Sequence, residues 1–152
     1  MSEPLTVAVR LIHAQARMPA RAYPGDAAFD LTAIEECTIA PQERAVVGTG
    51  VAVAMPPGLA ALTLPRSGLA ARHGIAVVNA PGLIDSGYRG EIRIVLLNTD
   101  LDQPFTVHAG DRVAQVLFVG LPDVALQRVD VLPESERGDR GFGSSGLSGE
   151  ED

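Results

Sequence analysis

Short apolar runs separated by glycine and proline dominate most of the chain. Several runs alternate between apolar and polar positions and are rich in β-branched residues, a pattern typical of half-buried strands. The predicted strands are residues 5–12, 47–53, 59–64, 91–98, 104–107, 113–119 and 124–132. Because no long helical period lies between them, the pattern predicts an all-β fold, a sandwich or a jelly-roll-like β-barrel.

Proline and glycine also indicate how some runs connect. The turn Pro56-Pro57-Gly58 predicts that residues 47–53 and 59–64 pair with each other. Residues 45–65 are uncharged over a length that could span a bilayer, but their glycines and prolines favour two strands and a turn over a membrane helix. Residues 91–98 are nearly apolar on both faces, which predicts a central strand.

The stretch 78–91 predicts a hairpin whose tip presents an acid, Asp85, and an aromatic ring, Tyr88. Two interpretations are open from the turn alone. Asp85 could bond the backbone of an ordinary surface turn while Tyr88 covers the edge of the core. Alternatively, the two side chains form part of a binding or catalytic site.

Residues 65–74 interrupt the strand pattern. Ser67 is expected to cap a short helix, residues 69–72, that ends at Gly74. A helix start with a serine, a glycine and the preceding Arg66 suits an anion, although a capped connector explains it equally well.

Two further polar residues stand out. Gln115 lies inside an apolar run and is either a satisfied core amide or a ligand contact. Asp30 lies in a predicted loop or strand start, where a local hydrogen bond is the simplest role.

From residue 133 onward the periodicity ends. We therefore divide the chain into a β domain, residues 1–132, and a flexible C-terminal arm, residues 133–152. The arm carries Arg137, Arg140 and Phe142 among glycines and serines. It is either a solubility tail or a lid that closes over an anionic aromatic ligand.

Composition narrows the function. The net charge of −7 argues against a general nucleic-acid or anionic-membrane surface. All twelve basic residues are arginines, which excludes a Walker-type phosphate loop and a Schiff-base lysine. Any bound phosphate must be held by arginine, backbone N–H groups and metal.

The lone Cys37 and the lack of a signal-like N-terminus predict a cytoplasmic protein. The three histidines have no zinc-ligand spacing.

Five stretches, in order, resemble the motifs of the trimeric deoxyuridine triphosphate nucleotidohydrolase (dUTPase) family. They are residues 26–31, 65–70, 79–91, 110–115 and 137–146. The resemblance implies a jelly-roll-like fold, a homotrimer with three active sites between subunits, and Mg²⁺-dependent hydrolysis of dUTP to dUMP and pyrophosphate. That reaction limits uracil incorporation into DNA and supplies dUMP for dTMP synthesis.

The resemblance also implies roles for individual residues. Asp85 would be the general base that activates water for attack on the α-phosphorus, and Tyr88 would pack on the deoxyribose and exclude a 2′-hydroxyl. Uracil would be read by Asn79, Gly82, Leu83 and Ile84. Phosphates would be held by Arg66, Ser67, Gly68 and Gln115, with Arg93 at the pocket edge. Asp30 would act on the metal side through a metal-bound water.

In the arm, the resemblance places Arg137 on the terminal phosphate and Phe142 on the uracil. Gly143, Ser144 and Ser145 would donate hydrogen bonds. Two positions depart from the family pattern: Ala28 and Arg140 both stand where glycine is usual. Arg140 either hinders arm closure or adds a phosphate contact.

Two rival functions remain. The related dCTP deaminases carry a catalytic glutamate on the strand after the hairpin, where this chain has isoleucine, valine and leucine. A catalytically inactive nucleotide-sensing trimer is disfavoured because Asp85, Tyr88, Arg66 and Phe142 occur together.

Overall fold

The computed structural model describes residues 5–142. Most of the regular structure is β, with one short helix. The elements are β1 Ala8–Leu11, β2 Phe29–Thr32, β3 Cys37–Ile39, β4 Arg44–Ala54, β5 Leu59–Leu64, α1 Ser67–His73, β6 Ile75–Val77, β7 Gly82–Ile84, β8 Glu91–Asn98, β9 Phe105–Val107 and β10 Arg112–Gly120. The predicted all-β, jelly-roll-like class is confirmed.

The strands form two four-stranded sheets and a two-stranded ribbon. The first sheet has the order β1-β4-β8-β6, the second β2-β10-β5-β7, and β3 pairs with β9. Every pairing in them is antiparallel. The position of β8 between β4 and β6 confirms that residues 91–98 form an interior strand.

One hydrophobic core joins the two sheets and the ribbon. Val47 and Ile94 come from the first sheet, Leu31 and Val116 from the second, and Ile39 from the ribbon. All five are nearly inaccessible to solvent. In β8 the buried apolar residues Ile92, Ile94 and Leu96 alternate with more exposed ones, as the period of two requires.

Two predicted hairpins are wrong. Residues 47–53 and 59–64 do not pair, because β4 belongs to the first sheet and β5 to the second. The arms of the stretch 78–91 also separate: β7 pairs with β5, whereas β8 pairs with β4 and β6. Both turns carry the chain from one sheet to the other, so that each sheet covers the apolar face of the other.

The predicted strand at residues 124–132 is also wrong. Residues 121–142 contain no helix or strand, and apolar side chains in this segment are exposed, among them Val124, Leu126 and Val131. An alternating sequence forms a strand only when a sheet edge offers hydrogen-bond partners. Among the described residues, no strand pairs with residues 124–132.

The start of α1 has no side-chain cap, whereas its end is formed by a glycine. Arg66, not Ser67, is the N-cap residue, and no side chain caps the helix start. Ser67 is the first helical residue, so its predicted capping role is wrong. The predicted end is confirmed: Gly74 has a left-handed backbone, φ 63°, and its N–H bonds the Ala70 carbonyl. The described part of the chain contains no helix long and apolar enough to cross a membrane.

The loop after β8 is closed by side chains. The buried Asn98 amide donates to the carbonyls of Ile39 and Gln103. The Asp100 carboxylate accepts the N–H groups of Asp102 and Gln103, which lowers its pKa.

Candidate active site

One face of the second sheet forms the floor of a cleft of about 730 Å³. Asp30, Gln115 and Leu64 lie side by side across β2, β10 and β5 in the strand register. The start of α1 and residues 22–28 supply the walls. This cleft brings together the predicted phosphate residues Arg66, Ser67, Gly68 and Gln115 with the predicted metal-side residue Asp30.

Asp30 is held between two arginines. Its Oδ1 lies 3.6 Å from Arg66 Nε, and its Oδ2 lies 3.2 Å from Arg112 Nη1. The expectation of a local hydrogen bond to its side chain is therefore wrong. The three side chains together carry a net positive charge, which suits an anionic ligand.

Gln115 is a satisfied amide that also lines the cleft, and its contact with a ligand stays a prediction. Its Nε2 donates to the Pro65 carbonyl at 2.9 Å, across the point where β5 ends and the helix begins. The same side chain lines the cleft. Gln115 therefore fixes the position of the helix start relative to the sheet while facing the ligand space.

A second cleft of about 260 Å³ contains the other half of the predicted site. Its lining includes Asn79, Gly82, Leu83, Ile84, Asp85, Tyr88 and Arg93. The turn at its rim is closed by the Tyr88 N–H, which bonds the Asp85 carbonyl at 3.1 Å. The Asp85 side chain is exposed and forms no hydrogen bond or ion pair within residues 5–142.

Hydrogen bonds hold both the backbone N–H and the side-chain hydroxyl of Tyr88. Its hydroxyl donates to the Glu91 carbonyl at 3.0 Å, and the ring lies directly over Gly90, where a Cβ would collide with it. Nearly half of the residue remains exposed. The ring is thus a positioned, accessible surface and not a cover for the core, so the surface-turn interpretation is wrong for Tyr88.

Gly82 allows β7 to approach β5 closely. A Cβ on Gly82 would collide with the buried Thr63 hydroxyl, which bonds the Gly82 carbonyl. Because β7 is the edge strand of its sheet, its outer backbone groups have no strand partner. Free N–H and C=O groups on a fixed edge suit the recognition of a flat, polar base.

The two clefts lie on different faces of the same strand. Thr63 lines the second cleft and Leu64 the first, and successive strand residues point to opposite faces. One copy of the chain therefore does not bring Asp85 and Tyr88 together with Arg66 and Gln115 in a single cleft.

The arm residues lie apart from both clefts. Arg137 Nε donates to the Arg140 carbonyl and Arg140 Nε to the Arg137 carbonyl, which forms a compact local turn. Phe142 is fully exposed. Gly143, Ser144 and Ser145 lie outside the described residues.

Two carboxylates, Asp26 and Asp30, line the first cleft, where a magnesium ion would bind. Residues 5–142 contain no group of three or more acidic, histidine or cysteine side chains that could hold a metal alone. Mg²⁺ usually binds through one or two carboxylates together with substrate phosphates and water. Asp30, beside the arginines, fits that mode.

The sequence did not single out Arg112 or Glu91 as site residues. Arg112 lines the first cleft, and Glu91 lines the second, where its Oε1 accepts the Gly50 N–H at 2.8 Å. Arg112 was missed because it lies three positions before Gln115 in the sequence, and in a regular strand the two side chains would point to opposite faces.

Comparison with known proteins agrees with this arrangement. A family model described as dUTPase matches residues 14–146. Two relatives carry the name deoxyuridine 5′-triphosphate nucleotidohydrolase. One, from Leifsonia xyli subsp. xyli, is 52% identical over 132 residues, 87% of each chain. The other, from Thermobifida fusca, is 51% identical over 140 residues, 92% of this chain and 78% of the relative.

Solved structures show the same fold. The dUTPase of Staphylococcus bacteriophage 80alpha with dUPNHPP has a TM-score of 0.87 and 31% identity, covering 93% of this chain and 99% of that one. A variant of the dUTPase from phage phi11 of S. aureus, described for its coordination of a structural Mg(II) ion, has a TM-score of 0.79 and 28% identity, with 85% and 99% covered.

Together, the fold and the two clefts define an all-β nucleotide hydrolase. Since the family model and these relatives span most of the sequence, the chain belongs to the dUTPase family.

Proposed function

We propose that the chain hydrolyses dUTP at the α-β phosphoanhydride, with Asp85 as the general base and Mg²⁺ assistance. As a member of the dUTPase family it is a dUTP diphosphatase. The products are dUMP, the precursor of dTMP, and pyrophosphate. The reaction would keep uracil out of DNA.

The position of Asp85 carries this proposal. Its carboxylate is exposed in the cleft that also contains Tyr88 and the edge strand β7. A carboxylate without a competing hydrogen-bond donor can accept a proton from a water molecule, which then attacks phosphorus. The chain has no lysine, so the acceleration must come from orientation and neutralisation of charge.

The edge of β7 would recognise the base. Asn79 and the backbone of Gly82–Ile84 line the cleft and would pair with the polar edge of uracil. Tyr88, held by its hydrogen bond to Glu91, would lie against the deoxyribose. A ring fixed in this position leaves no room for a 2′-hydroxyl, which would exclude UTP.

The first cleft would hold the triphosphate. Arg66, Ser67, Gly68 and Gln115 would bind phosphate oxygens, and Asp30 would face the metal through water. Bound Mg²⁺ would neutralise phosphate charge and help to orient the phosphate chain. Arg93, which is 3.9 Å from Glu91 and lines the second cleft, is assigned to the pocket edge.

We propose that the complete site forms between copies in a homotrimer. The separation of the two clefts by β5 supports this arrangement, because a neighbouring copy could supply the missing half. Exposed apolar side chains also indicate contact surfaces: Val46 on the outer face of the first sheet, and Leu126 and Val131 in the segment that lacks a sheet partner.

The division into residues 1–132 and an arm, residues 133–152, is part of the same proposal. The arm would close over the ligand, with Arg137 on the terminal phosphate and Phe142 on the uracil, and Gly143 and Ser144 as hydrogen-bond donors. The exposure of Phe142 supports this role of the arm, since a fully exposed aromatic ring is available to stack.

The cytoplasmic location stays a prediction.

The test is Asp85→Asn, assayed by pyrophosphate release. We expect kcat to fall by about 10²- to 10⁴-fold, the usual contribution of a general base, while a non-hydrolysable imido analogue of dUTP still binds. Asp102→Asn, a change of the same kind in an exposed loop, serves as the matched control and should leave kcat unchanged.

Substrate choice completes the test. The wild-type chain should release pyrophosphate from dUTP far faster than from dCTP, UTP or dTTP. Equal rates on all four nucleotides, or none, would contradict the proposed function. An unchanged kcat in Asp85→Asn would contradict only the assignment of the base.

A further inference from the structure

A β-bulge turns Arg112 into the first cleft. In β10, Arg112 pairs with Thr32 and Ala114 with Leu31, so Val113 is one extra residue relative to β2. Val113 and Ala114 are both buried in the core. After this irregularity, Arg112 lies on the same face as Gln115 and Leu117. Bulges commonly redirect a side chain in this way.

The redirected guanidinium meets a largely buried carboxylate. Arg112 Nη1 donates to Asp30 Oδ2 at 3.2 Å, and the Asp30 side chain is only 18% exposed. Arg66 approaches the other oxygen, Oδ1. Each carboxylate oxygen is thus contacted by a different arginine, so the plane of the carboxylate is set from two sides.

The backbone of Arg112 fixes the second arginine as well. Its carbonyl accepts a hydrogen bond from Arg66 Nη1 at 2.9 Å. This contact does not depend on the Arg112 side chain. Replacing that side chain therefore removes one of the two arginine contacts of Asp30, while the carbonyl that holds Arg66 is retained.

We propose that Arg112 is a positioning residue of the reaction and acts through Asp30. This inference rests on the proposed function, in which Asp30 faces the metal side of the triphosphate. The Arg112 side chain holds the carboxylate in the orientation that this role requires and offsets its charge, so that it does not repel the phosphates. Half of the Arg112 side chain is exposed, and a pair of this kind adds little to folding stability. Its effect should therefore fall on function.

The experiment is a double-mutant cycle of Arg112→Gln and Asp30→Asn. We expect Arg112→Gln to lower kcat/KM for dUTP by about 10- to 100-fold, as is usual for residues that orient a metal-side ligand. It should also raise the Mg²⁺ concentration needed for half-maximal rate. In the Asp30→Asn background, Arg112→Gln should have almost no further effect on either quantity.

A binding measurement without metal gives a second readout. In EDTA, Arg112→Gln should weaken binding of the imido analogue, because the Asp30 charge is then less well offset. Adding Asp30→Asn should restore the affinity. Arg112→Lys, which keeps the charge, should recover part of both activity and binding. Arg72→Gln, in the last turn of α1 and outside both clefts, controls for the change in net charge.

Each other outcome has a definite meaning. An equal loss from Arg112→Gln in both backgrounds would overturn the proposal, because Arg112 would then contact the ligand itself. No loss in either background would also overturn it. If Arg112→Gln does not fold, the same cycle with Arg112→Lys decides. Hydrolysis of dUTP by the wild type in the same assay shows separately whether the proposed function holds.

Discussion

At the scale of single residues, the position of Tyr88 depends on a neighbour without a side chain. The Tyr88 ring and hydroxyl occupy the space where a Cβ of Gly90 would lie, while a Cβ on Gly87 would meet nothing within 4 Å. Two glycines of one turn therefore have different roles. Gly90 provides the space for the ring, and Gly87 belongs to the turn itself.

We expect Gly90→Ala to weaken discrimination against UTP. The added methyl group would push the ring away from the proposed sugar position, because a Cβ at Gly90 would lie 2.6 Å from Cζ of the ring. The ratio of kcat/KM for dUTP to that for UTP should fall about tenfold, the low end of what one steric contact contributes to specificity.

The matched control for this prediction is Gly87→Ala, which adds the same methyl group to open space three residues away. It should leave the ratio unchanged. If both variants changed the ratio equally, the flexibility of the turn, and not the position of Tyr88, would set the preference for deoxyribose.

The sequence predicted seven of the ten residues that line the second cleft and five of the thirteen that line the first, but not how they are divided between the two clefts. Asp85 and Tyr88 were noted as an acid and a ring in a glycine-rich turn, and the resemblance to the dUTPase motifs gave them their predicted roles. Arg112 was not found, because a bulge changes which face a residue occupies and leaves no clear mark in the sequence.

At the scale of elements, the two ends of α1 differ in how far nearby residues in the sequence determine them. Gly74 ends the helix because its left-handed backbone lets its N–H bond the Ala70 carbonyl, and this geometry is encoded by one glycine. The helix start is different. Arg66 occupies the N-cap position and is held by the Arg112 carbonyl from β10, a partner that no local pattern reveals.

Gly74→Ala should destabilise the fold. An L-residue at φ 63° is strained by about 1–2 kcal/mol, and its Cβ would lie 2.7 Å from Thr99 Oγ1. Thr99 already bonds the Gly74 carbonyl, so it cannot move freely. Thermal unfolding at a fixed protein concentration should show a lower Tm than the wild type.

Gly68→Ala provides the comparison, since a Cβ there meets no neighbour and the position is inside the helix. That change should leave Tm the same or raise it, because alanine is the better helix former by up to about 1 kcal/mol. A similar drop in both variants would mean that the helix responds to any added side chain and that the cap is unimportant.

Strands were easier to predict than their partners. Apolar, β-branched runs marked the longer strands, β4, β5, β8 and β10, from their own residues. Two adjacent strands with a short turn, however, fit a hairpin and a crossing between sheets equally well. The connections at Pro56-Pro57-Gly58 and Ser86-Gly87 both cross between sheets. Only the need of each sheet to bury its apolar face decides between the two.

At the scale of the whole molecule, one copy of the chain has two separate clefts. Thr63 and Leu64 are neighbours in β5, yet they line different clefts. A shared site between copies would join the base half of one chain to the phosphate half of the next. The exposed apolar segment after β10 is consistent with such contact.

Mixed trimers test this arrangement directly. Arg66→Gln damages the phosphate half and Asp85→Asn damages the base half, so each variant alone should be nearly inactive. In trimers assembled at random from equal amounts of both, about a quarter of the sites would combine two intact halves. Co-expressed and co-purified chains should therefore regain about a quarter of the wild-type rate.

Separately purified variants that are mixed without exchange of subunits should stay inactive. If co-assembled trimers were no more active than this mixture, both halves of each site would come from one chain, and the shared site would be excluded.

The division of the clefts across β5 also has a genetic consequence. In a cell with one intact and one damaged gene copy, a chain that lacks Asp85 would still lend its phosphate half to an intact neighbour. Activity would fall in proportion to the fraction of damaged chains, because one damaged chain would not inactivate every site of its trimer. Null alleles in opposite halves would complement each other, whereas alleles in the same half would not.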